Sequence, residues 1–183
     1  TLLSFLPNDL RGARILDAGC GTGALAVEAA KRGADVTAVD ISPTLIGIAR
    51  ERLPERLGDG RINFIAGDML DRKLGTFDHV VAMDSLIHYS LPDMVGMLAR
   101  LAEMSRSGIH FTYAPKTPAL AAMHVVGKAF PRSDRSPRIV PHGTSALHKS
   151  IARDHELADW RPGRDARVSS GFYISHAQEL RHA

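Results

Sequence analysis

Residues 15–24 read Ile-Leu-Asp-Ala-Gly-Cys-Gly-Thr-Gly-Ala, and this segment limits the fold more than any other. An apolar run too short for a helix ends in glycines at alternate positions. Helix formers follow from Ala24. Glycine takes left-handed backbone angles freely and lets another group approach the backbone closely. A helix that starts at such a turn presents free N–H groups and the positive end of its dipole there. The segment therefore predicts a buried strand, a ligand-facing loop and a helix, in that order.

The rest of the chain continues the alternation. Residues 14–17 are the first predicted strand and 24–32 the first helix. Residues 35–40 (DVTAVD) are short and β-branched, a second strand. Ser42 followed by Pro43 reads as an N-cap with proline at the first helical position, and that helix runs to about Leu53. A third strand, 62–66, ends at Gly67, and 79–83 is a fourth, with a short or irregular helix expected between them. Met94, Val95, Met97, Leu98, Leu101 and Ala102 form an apolar stripe along a helix at 92–105. Residues 108–113 are a fifth strand. Such alternation predicts a parallel sheet covered on both faces. After Pro115 the character changes. Residues 118–130 read as a helix, 131–141 as a loop rich in proline, arginine and serine, 143–160 as helical, and 167–174 as a late alternating strand.

Composition narrows the class. The 183 residues suit one domain, and 44% hydrophobic with 23% charged residues is a globular balance. A single cysteine, Cys20, excludes an internal disulfide framework and suggests a reducing, cytoplasmic setting. No apolar run approaches the roughly 18 residues that span a bilayer, and the start has no signal-peptide pattern. The net charge of +3 is uneven. Residues 1–115 carry 12 basic and 14 acidic side chains, whereas 116–183 carry 11 basic and 6 acidic. A basic stretch suits an anionic ligand or surface. Within 116–150 six basic residues stand against Asp134 alone, and this stretch is not interleaved with stacking aromatics, which weakens a nucleic-acid reading.

Two ligand classes fit the glycine loop. Gly19, Gly21 and Ala24 satisfy the dinucleotide spacing, while Gly19, Gly21 and Gly23 satisfy the pattern of enzymes that use S-adenosylmethionine (SAM). Asp40 ends the second strand, 19 residues after Gly21, where a carboxylate can accept from both ribose hydroxyls; Ile41 adjoins it. Asp17 precedes the loop and suits a methionine ammonium, which NAD lacks. Gly67, Asp68 and Met69 close the third strand, with Asp68 placed for an adenine amino group and Met69 for the ring. Asp84 and the residues after it follow the fourth strand. All these positions lie at strand carboxyl ends, where open α/β sheets bind ligands. Together they favour SAM over NAD.

With these motifs the chain resembles the class I SAM-dependent methyltransferases. The resemblance implies an α/β, Rossmann-like, seven-stranded, mostly parallel sheet of order 3-2-1-4-5-7-6 with helices on both faces. Strand six would lie near Trp160 and strand seven over 167–174. The [N/D]-P-P-[Y/F] sequence of enzymes that methylate base amino groups is replaced here by Asp84-Ser85-Leu86-Ile87. FDHVVAMDSLIHY (77–89), FTYAPKTP (111–118), RSPRIVPH (135–142) and RVSSGFYISHAQEL (167–180) resemble the magnesium protoporphyrin IX O-methyltransferase family in its bacteriochlorophyll-pathway form.

That resemblance implies methyl transfer from SAM to a propionate of magnesium protoporphyrin IX, giving the monomethyl ester and S-adenosylhomocysteine (SAH). It also implies one domain with a substrate insertion around 116–142, and an N-terminal segment before the first strand that closes the site and supplies a tyrosine. Contact with the porphyrin-binding subunit of magnesium chelatase and peripheral contact with photosynthetic membranes extend the expectation. The reaction is an in-line displacement by a carboxylate already ionised at neutral pH, so positioning matters more than a base. His88 is the candidate for orienting the propionate. Tyr89 and Tyr113 are candidates for the substrate rim, Met123 for a surface over the macrocycle, and Arg135 for a carboxylate. The nine histidines show no ligand spacing, so no protein metal site is expected. A methyltransferase for another small acid or phenol, an NAD-dependent oxidoreductase and a silent SAM-binding module are the competing readings.

Overall fold

The computed structural model describes residues 1–116, 139–170 and 173–183. Seven strands form one sheet: β1 (Arg14–Ala18), β2 (Asp35–Asp40), β3 (Arg61–Ala66), β4 (Phe77–Ala82), β5 (Ser105–Tyr113), β6 (Trp160–Ser170) and β7 (Tyr173–His182). Their order across the sheet is β3-β2-β1-β4-β5-β7-β6. The first five are parallel, and β7 runs antiparallel to both β5 and β6. The expected fold class is thus the observed one.

Among the described residues four α-helices cover the sheet: α1 (Ala24–Lys31), α2 (Pro43–Glu51), α3 (Leu91–Glu103) and α4 (Thr144–Arg153). On one face α3 and α4 pack through Met94, Leu98, Leu101, Leu147 and Ile151 against Leu16, Val80, Ile109 and Phe111. On the other, α1 and α2 pack through Leu25, Ala29 and Ile46 against Ile15, Val36 and Val81. Leu2, Phe5, Leu6 and Leu10 join this second layer, and the Arg164 guanidinium on β6 donates to the Phe5 carbonyl. Small alanines dominate α1 (ALAVEAAK), so the helix lies close to the sheet. Between β3 and β4 there is only a turn of 3-10 helix, Arg72–Leu74, as the irregular sequence there suggests.

Local chemistry explains most boundaries. The Ser42 hydroxyl accepts from Leu45 N (3.3 Å) and Pro43 opens α2, as its sequence predicts. Ser90 caps α3 by accepting from Asp93 N (3.4 Å), so that helix begins at Leu91. Two expectations are corrected. The helix expected over 143–160 stops at Arg153, because Asp154 leaves the helical region and its Oδ1 accepts from Glu156 N (2.9 Å) in a local turn. Trp160 therefore starts β6. The strand expected over 167–174 is two arms of a hairpin: Ser170 pairs with Tyr173, Arg167 belongs to β6, and β7 runs on to His182. Ser169 pairs with Ile174 and Val168 with Ser175, so Val168 and Ile174 lie on opposite faces and the alternation read through 174 does not follow one strand face. Pro162 sits on β6, at the sheet edge, where a missing donor is tolerated.

Candidate active site

The strand order reverses between β1 and β4, with Asp17 in register with Val81. Beyond that point the two strands part, and a cleft of about 1200 Å³ opens over the carboxyl ends of β1 to β4. This is the switch point at which doubly wound sheets bind ligands. Gly19 and Gly21 form the floor. At Gly19 (φ +78°) a Cβ would stand 2.4 Å from Ser85 Cβ. At Gly23 (φ +80°), the residue before α1, it would stand 2.7 Å from the Phe64 ring. Both sites exclude a side chain on sterics as well as on backbone angle.

The acidic residues read from the sequence hold this floor together. Asp40 Oδ2 accepts from Gly21 N and Oδ1 from Ser42 N, each at 2.9 Å. The carboxylate is fixed in place with lone pairs left for a diol. Ile41 beside it is 79% exposed, a large apolar side chain facing the cleft rather than the core. Asp68 Oδ1 accepts from Leu70 N (2.9 Å), and Met69 lines the cleft next to it. Asp84 lines the far wall in left-handed geometry (φ 56°), tolerated best by Asn and Asp among non-glycine residues. Its N–H donates to Thr112 Oγ1 (2.7 Å), and the Thr112 hydroxyl donates to Asp84 Oδ1 (2.9 Å).

Asp17 and Gly23 stand behind the lining rather than in it. Asp17 is 1% exposed, and its Oδ2 has no hydrogen-bond partner. Burial pushes its carboxyl up to about 7; the Asp40 charge adds to the rise, and a backbone hydrogen bond from Ala26 opposes it. Cys20 in the same loop is pushed up to about 12 by burial and the Asp17 and Asp40 charges, so its thiol is not a nucleophile at neutral pH.

His88 and Tyr89 line the cleft where β4 leads into α3. A segment from beyond β5 braces this loop. His142 Nε2 lies 2.9 Å from the Tyr89 carbonyl, and Val140 N donates to the Ile87 carbonyl (2.8 Å). His142 N donates in turn to Ala114 O (2.8 Å), and Lys116 N to His142 O (2.9 Å). His142, 7% exposed, is a structural clamp here.

Tyr113 is a correction. It was expected at the substrate rim, yet it is fully buried, stacked on His176 (centroids 5.0 Å, planes 16° apart) with its hydroxyl 2.7 Å from Thr144 Oγ1. Ile109, Phe111 and Tyr113 alternate onto the core face of β5, and the last residue of the strand follows its register rather than its position. Tyr113→Phe removes one hydrogen bond worth about 1 kcal/mol. It should lower Tm by about 3 °C and leave the KM of the methyl acceptor unchanged; a raised KM would return Tyr113 to the site. Met123 and Arg135 lie outside the described residues.

Sequence reasoning missed much of one wall. Pro92, Asp93, Gly96, Met97 and Arg100 of α3 face the cleft, opposite the buried Met94, Leu98 and Leu101. Gly96 in mid-helix, with nothing within 4 Å of a Cβ placed there, was the available signal. Ser85 was also missed as a lining residue. Among the described residues no group of three or more His, Cys, Asp or Glu side chains could hold a metal ion, and no helix is long and apolar enough to cross a membrane.

This sheet order, with a glycine loop and an acidic residue at the end of β2, defines a class I SAM-dependent methyltransferase. A general methyltransferase domain matches residues 15–108, and the C-terminal part of magnesium-protoporphyrin IX methyltransferase matches residues 82–182. The chain belongs to the magnesium-protoporphyrin IX methyltransferase family. It is 51% identical to magnesium-protoporphyrin O-methyltransferase of Rhodobacter capsulatus, over 98% of this chain and 77% of that one. The chloroplastic enzyme of Arabidopsis thaliana is 29% identical, over 93% of this chain and 53% of that one. A crystal structure of magnesium protoporphyrin IX methyltransferase from Synechocystis PCC 6803 with bound SAH superposes with a TM-score of 0.81 and 29% identity, over 95% of this chain and 76% of that one.

Proposed function

We propose that the chain transfers the methyl group of SAM to a propionate carboxylate of magnesium protoporphyrin IX, releasing the monomethyl ester and SAH. The observation that carries this is the cleft itself. Its floor has the groups that SAM requires, and its open end carries His88 and Tyr89, in a chain half identical to an enzyme named for this reaction. The residues fit the cofactor: Asp40 suits the ribose hydroxyls, Ile41 and Met69 the faces of the adenine, Asp68 its amino group, and the orphaned oxygen of Asp17 the ammonium.

SAM supplies an electrophilic methyl group on a sulfonium: a carboxylate oxygen forms the new C–O bond as the S–C bond breaks, and no proton moves. The protein's part is positioning and exclusion of water. His88 donates a hydrogen bond to the non-attacking propionate oxygen, which aims the other along the S–C axis. The His142 and Val140 braces hold the backbone on either side of His88.

Incubation with SAM and magnesium protoporphyrin IX should yield the monomethyl ester by chromatography. Failure of that ester to form, with SAH binding intact, points to another small acid or phenol. His88→Ala should lower kcat by about 10- to 100-fold with the SAH affinity unchanged; an unaltered kcat would remove His88 from the mechanism. The same reading extends to contact with the porphyrin-binding subunit of magnesium chelatase and to peripheral association with photosynthetic membranes from the cytoplasmic side. The basic excess over 116–183 supports it, and co-sedimentation with anionic vesicles tests the membrane contact.

A further inference from the structure

Ser85 Oγ and Asp17 Oδ2 share an anomaly. Both are buried oxygens with no hydrogen-bond partner. Buried polar atoms are nearly always paired, so an orphan needs a reason. These two are also close neighbours in the fold. Asp17 lies two residues before Gly19 on β1. Ser85 follows β4 and rests against Gly19, so that a Cβ built there would be 3.1 Å from the hydroxyl oxygen. The two orphans therefore flank the same glycine, on the two strands between which the sheet reverses its order.

We propose that Ser85 is a ligand of the amino-acid end of SAM, its hydroxyl donating to the methionine carboxylate while Asp17 accepts from the ammonium. The proposal rests on the methyltransferase reading above. An ionised carboxylate only accepts, whereas a hydroxyl can also donate. The pair thus matches a group that carries one positive and one negative end, which is the α-amino acid. The other parts of the cofactor have partners elsewhere. Asp40 at the end of β2 and Asp68 after β3 take the ribose and the adenine, on the opposite side of the glycine loop. Asp84, next to Ser85, is engaged with Thr112. Ser85 lines the cleft, and its buried hydroxyl rests against Gly19 at the cleft floor, where the amino-acid end of the cofactor would lie.

The test compares SAH with 5′-methylthioadenosine, which keeps the adenine, ribose and sulfur and lacks the amino-acid end. Calorimetry on Ser85→Ala should show SAH binding weakened about tenfold, the scale of one hydrogen bond to a charged group, and 5′-methylthioadenosine binding at the wild-type Kd. Retained binding of the smaller ligand also shows an intact fold. Ser85→Cys, which keeps the shape and weakens the donor, should show the same selective loss to a smaller degree. Equal weakening of both ligands, or no weakening of either, overturns the assignment. A wild-type chain that binds neither ligand overturns the methyltransferase reading as well, a result distinct from lost selectivity.

Discussion

Asp17→Asn should weaken SAH binding about 100-fold and at the same time raise the melting temperature of the ligand-free protein at pH 8. The two effects have one cause. Burial raises the Asp17 carboxyl from 3.8 to about 7. The folded chain therefore keeps a proton that the unfolded chain releases near pH 4. Stability from this group falls as pH rises between those values, and above pH 7 the ionised buried carboxylate costs about 4 kcal/mol. Asparagine keeps the shape without the charge, though its own amide is poorly met there. A net gain of roughly 1–2 kcal/mol would lift Tm by about 3–6 °C. At pH 5 the gain should vanish, because wild-type Asp17 is then protonated in the folded state. The ammonium needs the ionised form, so wild-type SAH affinity should drop about tenfold per pH unit below 7. Melting curves and calorimetry at pH 5, 6, 7 and 8 check both signs. An Asn variant that binds SAH like wild type would refute the role.

Gly19→Ala should be the most damaging single methyl group in the cofactor site. The residue takes φ +78°, and its Cβ would fall 2.4 Å from Ser85 Cβ, an atom fixed to the backbone rather than the far end of a flexible chain. Left-handed strain and overlap together cost about 2–4 kcal/mol. Tm should fall by roughly 5–12 °C, and the distorted loop together with the displaced Ser85 should weaken SAH binding by more than the roughly tenfold expected of Ser85→Ala. Gly21→Ala is the control, because it carries the same backbone penalty (φ +54°) with nothing within 4 Å of its Cβ. If the two variants melt alike, the close approach of β4 to the loop is not what selects glycine at position 19.

Residues that act close to their own place in the chain were legible in the sequence. Asp40 can be read because a strand end, a loop and a helix cap lie within a few residues of it. Ser42 and Pro43 announce α2 by local hydrogen bonding alone. The sheet order followed from the family resemblance carried by those motifs. Features that depend on distant strands were less visible. Tyr113 looks like a rim residue until the alternation of β5 turns it onto the core, and β6 and β7 merge because the alternate residues Val168, Ser170, Phe172 and Ile174 imitate one strand although Val168 and Ile174 lie on opposite faces. Ser85 has no sequence signature as a ligand, since its place is set by the meeting of β1 and β4, 66 residues apart from Gly19 to Ser85. The cleft face of α3 was hidden for a related reason. Its apolar stripe marks the core side through Met94, Leu98 and Leu101, but Met97 of the same stripe lines the cleft, and no local pattern marks the face it shares with Gly96 and Arg100.

The clamp at His142 has an implication for how such enzymes diversify. Residue 142 receives a hydrogen bond from Lys116 and gives one to Ala114. Residues 114–116 and His142 thus form a narrow paired neck at the end of β5, beside the loop that carries His88. Material spliced in at a neck of this kind alters neither the register of β5 nor the floor under the cofactor. Its length is also nearly neutral, because each doubling of a flexible loop adds only about 0.6 kcal/mol of closure entropy. The neck is in this way a natural graft point, where sequence can be exchanged while the strands that carry the glycine loop keep their places.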